Sequence, residues 1–417
     1  MEQQDSKERF FTWTYANIML ADLFNRICMY MMLTLLPLYV IEGGFYTFAG
    51  LTTSAFMLVA VVFRPVSGKL VDTRGRHVVI LFGAAVFVLA TAFFSFQIPP
   101  WLLLTMRGLQ GLGFSFFGTG VMTLATDIIP QSRMSEGIGY LGLTQTISRA
   151  FSPLLALSLK DAFGYPISFG VVFGIAALTL LSALILSWGK KGTRTGNRKT
   201  GGVSEAAAAS SPLPSQSSKS EPLWEKLVDR DALKPATLML FIMFASSGVQ
   251  TFLVAHAMNK GIGNPGVFFT ATAITIAVAR LSVGRISQKF GSVAVLAPGI
   301  ALISLSLIGM YSCANLATLL LSGALYGLGF GMLQPELNSL CVLSARKERR
   351  GSANSTFFMA MDLGQAAGAY AMGVLAGYAG LSPIFLVGAI SAALTLAGYL
   401  LLQRRRAVRE RGVREAH

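Results

Sequence analysis

The chain has 417 residues, 53% of them hydrophobic and only 13% charged, and carries a formal net charge of +15. That charged share is about half the value usual for soluble globular domains, so lipid is the expected main solvent. The three cysteines, Cys28, Cys313 and Cys341, show no paired spacing, which argues against a disulfide framework.

The segment Met1 to Phe10 mixes acidic and basic residues. The apolar run after it is too long for a cleaved signal and lacks a small-residue cleavage site, so it reads as a retained helix. Apolar runs long enough to cross a hydrocarbon core then recur along the chain. They fall at 15–40, 48–70, 78–97, 101–125, 137–159 and 166–188, and, after a polar stretch, at 236–259, 265–287, 293–312, 316–343, 353–376 and 382–402. The polar stretch, 189–235, is rich in Ser, Gly, Ala and basic residues and contains Pro212 and Pro214. Its composition suits a mobile tether, with a docking role near Trp224 as the second reading.

Positive loops stay on the cytoplasmic side. With both termini inside, inner segments, counted with Lys69 and Arg285 at the adjoining span ends, hold 27 of the 34 Lys and Arg residues, whereas the outer loops hold Lys160 and Lys260 alone. The same asymmetry accounts for the net charge without nucleic acid, because the basic residues border the inner leaflet.

Sliding the chain by 216 residues superposes motif on motif. Arg64, Gly68 and Gly75 fall on Arg280, Gly284 and Gly291, Gly111-Leu112-Gly113-Phe114 on Gly327-Leu328-Gly329-Phe330, and Gly164 on Gly380. The expected fold is therefore an all-α membrane protein with twelve transmembrane helices in two pseudo-symmetric six-helix bundles. These span 1–188 and 236–417, with a cytoplasmic linker at 189–235 and a short cytoplasmic tail.

After the second run comes Gly68-Lys69-Leu70-Val71-Asp72-Thr73-Arg74-Gly75-Arg76. Gly68 permits close helix approach, Gly75 a tight turn, and Asp72 and Arg76 charged contacts at a helix end. With the repeat, this stretch resembles the G-x-L-x-D-x-x-G-R signature of the major facilitator superfamily, and the resemblance covers nearly the whole chain. It implies a cytoplasmic gating latch at Gly68, Asp72, Gly75 and Arg76. The second copy has Gln288 in place of Asp72, which confines the ionic latch to the first half. Arg107-Gly108-Leu109-Gln110-Gly111-Leu112-Gly113 is similar to the family's R-x-x-Q-G-x-G pattern, in which the arginine is associated with proton coupling. The fifth run keeps only Pro153 and small-residue spacing (Ser148, Ser152, Ala156) of the family's antiporter motif.

Charges inside hydrocarbon are costly and normally face a partner or water. Asp22, Arg26, Arg107, Arg149, Glu336 and Asp362 are the candidates for a substrate or proton pathway. Asp22 and Arg26 share a face at i,i+4, as a self-neutralising pair or a cavity site. Gln334 and Asn338 share one face of their helix, with Glu336 nearly opposite. Arg64 and Arg280, taken as lying near the cytoplasmic ends, read as structural or snorkelling. The coupling candidates are the carboxyl groups of Asp22, Glu336 and Asp362, which can take up and release a proton as access alternates. Arginines also suit a carboxylate-bearing substrate.

The resemblance implies a secondary active transporter in the cell membrane that works on a small molecule, with protons and lipids as partners. Proton-coupled efflux of a drug-like compound, or of a carboxylate-bearing or zwitterionic metabolite such as a metallophore, is the leading expectation. A proton-coupled importer of a sugar or small acid is the alternative, and a non-transporting sensor the third. No cofactor or metal is expected, and no enzyme. His77, His256 and His417 are far apart in sequence, and neither H-E-x-x-H nor G-x-x-x-x-G-K-[ST] occurs.

Overall fold

The structure is a computed structural model that describes residues 12–96, 98–130, 133–188, 230–345 and 350–415. Of the expected tether at 189–235, residues 189–229, with the stretch near Trp224, lie outside the described residues, as does Met1 to Phe10.

The described residues form helices joined by short turns, with no strand among them, as a lipid-embedded backbone requires when it must satisfy its own polar groups. The helices are α1 (Trp13–Glu42), α2 (Tyr46–Arg74), α3 (Arg76–Ala92), α4 (Pro100–Ile128), α5 (Met134–Trp188), α6 (Leu233–Thr251), α7 (Leu253–Asn259), α8 (Val267–Phe290), α9 (Val293–Ser312), α10 (Leu316–Ser344), α11 (Arg350–Ala379) and α12 (Ser382–Glu415). Local sequence explains several boundaries. Pro100 opens α4, where its missing N–H costs no helical bond. Asn315 and Thr318 form a reciprocal capping box at the start of α10.

Eight helical segments are long and apolar enough to cross a membrane, and α6 with α7 makes a ninth, bent by 48° at Phe252. Two expected spans share α5, which turns at Gly164 (φ 76). The predicted connection there is helical on both sides of that one residue, because only glycine adopts positive φ without strain. The remaining two are α4 and α11, less apolar because they carry glycines together with Arg107 and Gln110 or Asp362 and Gln365. The inverted surface fits lipid: Leu281 is 79% exposed, Trp101 68% and Tyr378 90%.

The chain forms two compact units, one of residues 1–32 and 58–214, the other of 33–57 and 215–417. In the first, α3 packs on α4 through glycines. A Cβ on Gly83 would stand 2.4 Å from the Phe117 nitrogen, and one on Gly113 2.6 Å from that of Phe87. Tyr15, Ile18, Ile80, Ala84, Phe117 and Val121 fill the adjoining core. The second unit repeats the device between α9 and α10, where a Cβ on Gly329 would meet the Gly299 carbonyl at 2.7 Å. Within the same unit the 33–57 segment is seated on α11: Gly50 would meet the Ala369 carbonyl at 2.2 Å, and Ser54 Oγ donates to the Ala366 carbonyl at 2.7 Å.

Candidate substrate and proton site

In the first unit Asp22 and Arg26 lie one turn apart on α1. Arg26 Nε donates to Asp22 Oδ2 at 2.7 Å, and the hydroxyl of Thr144, from the first arm of α5, donates to the same oxygen. Asp22 is 4% exposed, so its charge is balanced by a neighbouring cation and a hydroxyl rather than by bulk water. The i,i+4 spacing made the pair legible, but Thr144 carried no signal, since its contact spans 122 positions. Ser148, one turn further along α5, donates to the Leu23 carbonyl at 3.5 Å.

Arg107 belongs to a different cluster of the same unit. It is 1% exposed and donates through Nη1 to Gln110 Oε1; Gln110 Nε2 donates to Thr91 Oγ1 at 2.9 Å, and Thr91 to the Phe87 carbonyl at 2.6 Å. Arg149 is half-buried on the first arm of α5, turned away from the exposed Ile147 and Phe151. At roughly 100° per residue it stands about 160° from each of these lipid-facing side chains.

In the second unit Glu336 is 6% exposed and accepts from Ser287 Oγ at 2.8 Å. Gln334, two residues earlier, accepts from Arg280 Nη2 at 2.8 Å. Both side chains thus reach α8, although a regular helix points them nearly opposite ways; their length lets them wrap to a common neighbour. Asp362 is 7% exposed on α11. His256 packs against Phe385 with ring centroids 4.8 Å apart, and its Nε2 lies 3.1 Å from the Met310 carbonyl.

At the motif after the second run, Gly75 has φ 89 and forms the turn between α2 and α3. A Cβ on Gly68 would meet nothing within 4 Å. Gly68 thus lies on an open part of α2 in this structure. Arg76 Nε pairs with Asp127 Oδ2 of α4 at 2.7 Å, a partner with no motif to announce it. Asp72 lies in α2, and its side chain is not among those described.

No group of three or more His, Cys, Asp or Glu side chains that could hold a metal ion occurs among the described residues.

Apolar helices that turn a few charged side chains inward, repeated at one offset, define a multi-pass membrane transporter. The chain belongs to the major facilitator superfamily: the family profile described as Major Facilitator Superfamily matches residues 18–268 and 240–417. It is 24% identical over 360 residues to the staphylopine export protein of Staphylococcus aureus, covering 83% of this chain and 84% of that one. It is 23% identical over 356 residues to a multi-drug resistance efflux pump PmrA homolog of Lactococcus lactis, covering 82% and 83%. Among solved structures, a bacterial homolog of the human lysosomal transporter Spinster matches with a TM-score of 0.76 at 12% identity, covering 95% of this chain and 98% of that one. The nucleoside transporter NupG matches with a TM-score of 0.70 at 14% identity, covering 94% and 99%. These structural likenesses show the fold.

Proposed function

We propose that the chain is a proton-coupled exporter of a small organic compound, working by alternating access in the cell membrane with both termini cytoplasmic. The observation that carries this reading is the Asp22–Arg26–Thr144 cluster. A buried carboxylate held by one cation and one hydroxyl offers a single place that accepts either a proton or the cationic group of a substrate. That exclusion exchanges one for the other. Arg26, released when Asp22 takes a new partner, meets the carboxylate of a zwitterionic substrate. The relatives named for staphylopine export and multidrug efflux support the outward direction.

Proteoliposomes with an imposed pH gradient test this, with staphylopine and ethidium as the first probes. The wild-type chain moves at least one of them uphill against the proton flow. Asp22→Asn loses uphill movement yet retains probe-for-probe exchange. Uphill movement undiminished in Asp22→Asn, Glu336→Gln and Asp362→Asn alike would falsify the coupling, and uptake alongside the proton would assign import instead.

A further inference from the structure

The two repeats differ at the end where Lys260 stands. α1 runs unbroken to Glu42, whereas the equivalent span of the second half breaks at Phe252 (φ −120, ψ −13) into α6 and α7, bent by 48°. No proline lies between Pro235 and Pro265, so no missing amide forces the bend. A helix broken there gives up backbone bonds that a straight one would keep.

The bend is held from outside the span, on the end of α9. Lys260 Nζ donates to the carbonyls of Tyr311 at 2.8 Å and of Cys313 at 2.9 Å, in the last turn of that helix and at its cap. Carbonyls at a helix C-terminus lack intrahelical partners and carry the negative end of the dipole, which favours an ammonium group beside them. One turn earlier, His256 Nε2 lies 3.1 Å from the Met310 carbonyl. A carbonyl only accepts, so Nε2 is the donor. Beyond Lys260 the chain reverses through Gly261 (φ 71) and Asn264 (φ 51). The offset places Val40 and Gly44 opposite His256 and Lys260, so the repeat does not call for this clasp. Cys313 lies at its foot and is 1% exposed, although Tyr311, Ser312, Ala314 and Asn315 on either side are all exposed.

The geometry points to a latch within the second unit. Lys260, set on the end of α9, holds α7 bent across it and keeps Cys313 covered; its release lets α7 straighten about Phe252 and uncovers that end. Lys260 is itself exposed, and two bonds from a solvated ammonium hold only modestly, so the latch opens by local fluctuation without unfolding the unit. The inference goes beyond the exporter reading and needs neither its substrate nor its direction.

The test uses the full chain in detergent, where sidedness plays no part. With Cys28→Ala and Cys341→Ala in place, Cys313 is the one thiol, and a water-soluble maleimide reads how often it is uncovered. Labelling is slow with Lys260 present. Lys260→Met speeds it about tenfold at an unchanged thermal midpoint, whereas Lys260→Arg, which keeps a cation on the same carbonyls, leaves it slow. Lys160→Met, in the first unit, leaves it slow as well. Nitroxides at Asn259 and Ser312, both exposed, in a chain without native cysteines, report one short distance, and Lys260→Met adds a second, longer one. Equal labelling rates with and without Lys260, an equal acceleration in Lys160→Met, or a single unchanged distance overturns the inference.

Discussion

Arg107 is buried with almost no exposure, and the acceptor of its Nη1 is the Gln110 amide rather than a carboxylate. The relay through Gln110 and Thr91 to the Phe87 carbonyl fixes the guanidinium from one side. In the second half the same positions hold Gly323, Tyr326 and Leu307, and Tyr326 stacks on Phe330 at 6.0 Å. The polar relay is thus specific to one half and not a requirement of the helix pair. Replacing Gln110 with Leu removes an acceptor from a buried charge and a donor to Thr91. The expected cost is about 1–3 kcal/mol, read as a lower thermal midpoint of the purified chain; an unchanged midpoint would show that Arg107 is held elsewhere. Thr91→Val, which keeps the shape, loses both the bond from Gln110 and the bond to the Phe87 carbonyl and is expected to cost a similar amount, about 1–3 kcal/mol.

At the scale of elements, glycine decides where helices touch and where they turn. Gly83 with Gly113, and Gly299 with Gly329, are equivalent by the repeat and bring backbones into contact in each unit. Gly75 and Gly291, at φ 89 and 80, and Gly164 and Gly380, at φ 76 and 80, turn the chain at equivalent places. The two uses separate in mutagenesis. Gly83→Ala forces a methyl to within 2.4 Å of backbone nitrogen and is expected to cost about 1–3 kcal/mol, the usual penalty of overpacking. Gly68→Ala, with open space around it, leaves thermal stability unchanged. A Gly68→Ala chain that unfolds as early as Gly83→Ala would contradict this packing.

Across the whole molecule the repeat supplies the frame and the charges break its symmetry. Asp22, Arg107, Glu336 and Asp362 have Leu238, Gly323, Gly120 and Thr146 at their equivalent positions. The two units are therefore alike in architecture and unlike in chemistry, as expected of a carrier whose helix-packing frame and binding chemistry are met by different residues. The proposed orientation makes a prediction at this scale. With the native cysteines buried, a cysteine placed at Lys160 or Lys260 reacts with a membrane-impermeant maleimide added to intact cells, and one placed at Arg74 reacts only after lysis. The reverse pattern would place the termini outside.

Counting apolar runs along the chain determined the helical segments and the repeat, because a lipid-embedded backbone must close its own hydrogen bonds in segments of fixed length, and the motif after the second run pointed to the family. It reached Asp22 with Arg26 because a helix brings i and i+4 together without help from the rest of the fold. Rotation about each helix axis and the identity of lateral neighbours are set by packing between segments far apart in sequence, and only the tertiary structure decided those. Thr144 on Asp22, Asp127 on Arg76, Ser287 on Glu336 and Gln334 on Arg280 are all contacts of that kind. Arg280 shows the difference most plainly. Sequence alone made it a residue to set aside near a cytoplasmic end, and the packing of α8 on α10 gave it Gln334 as a hydrogen-bond partner.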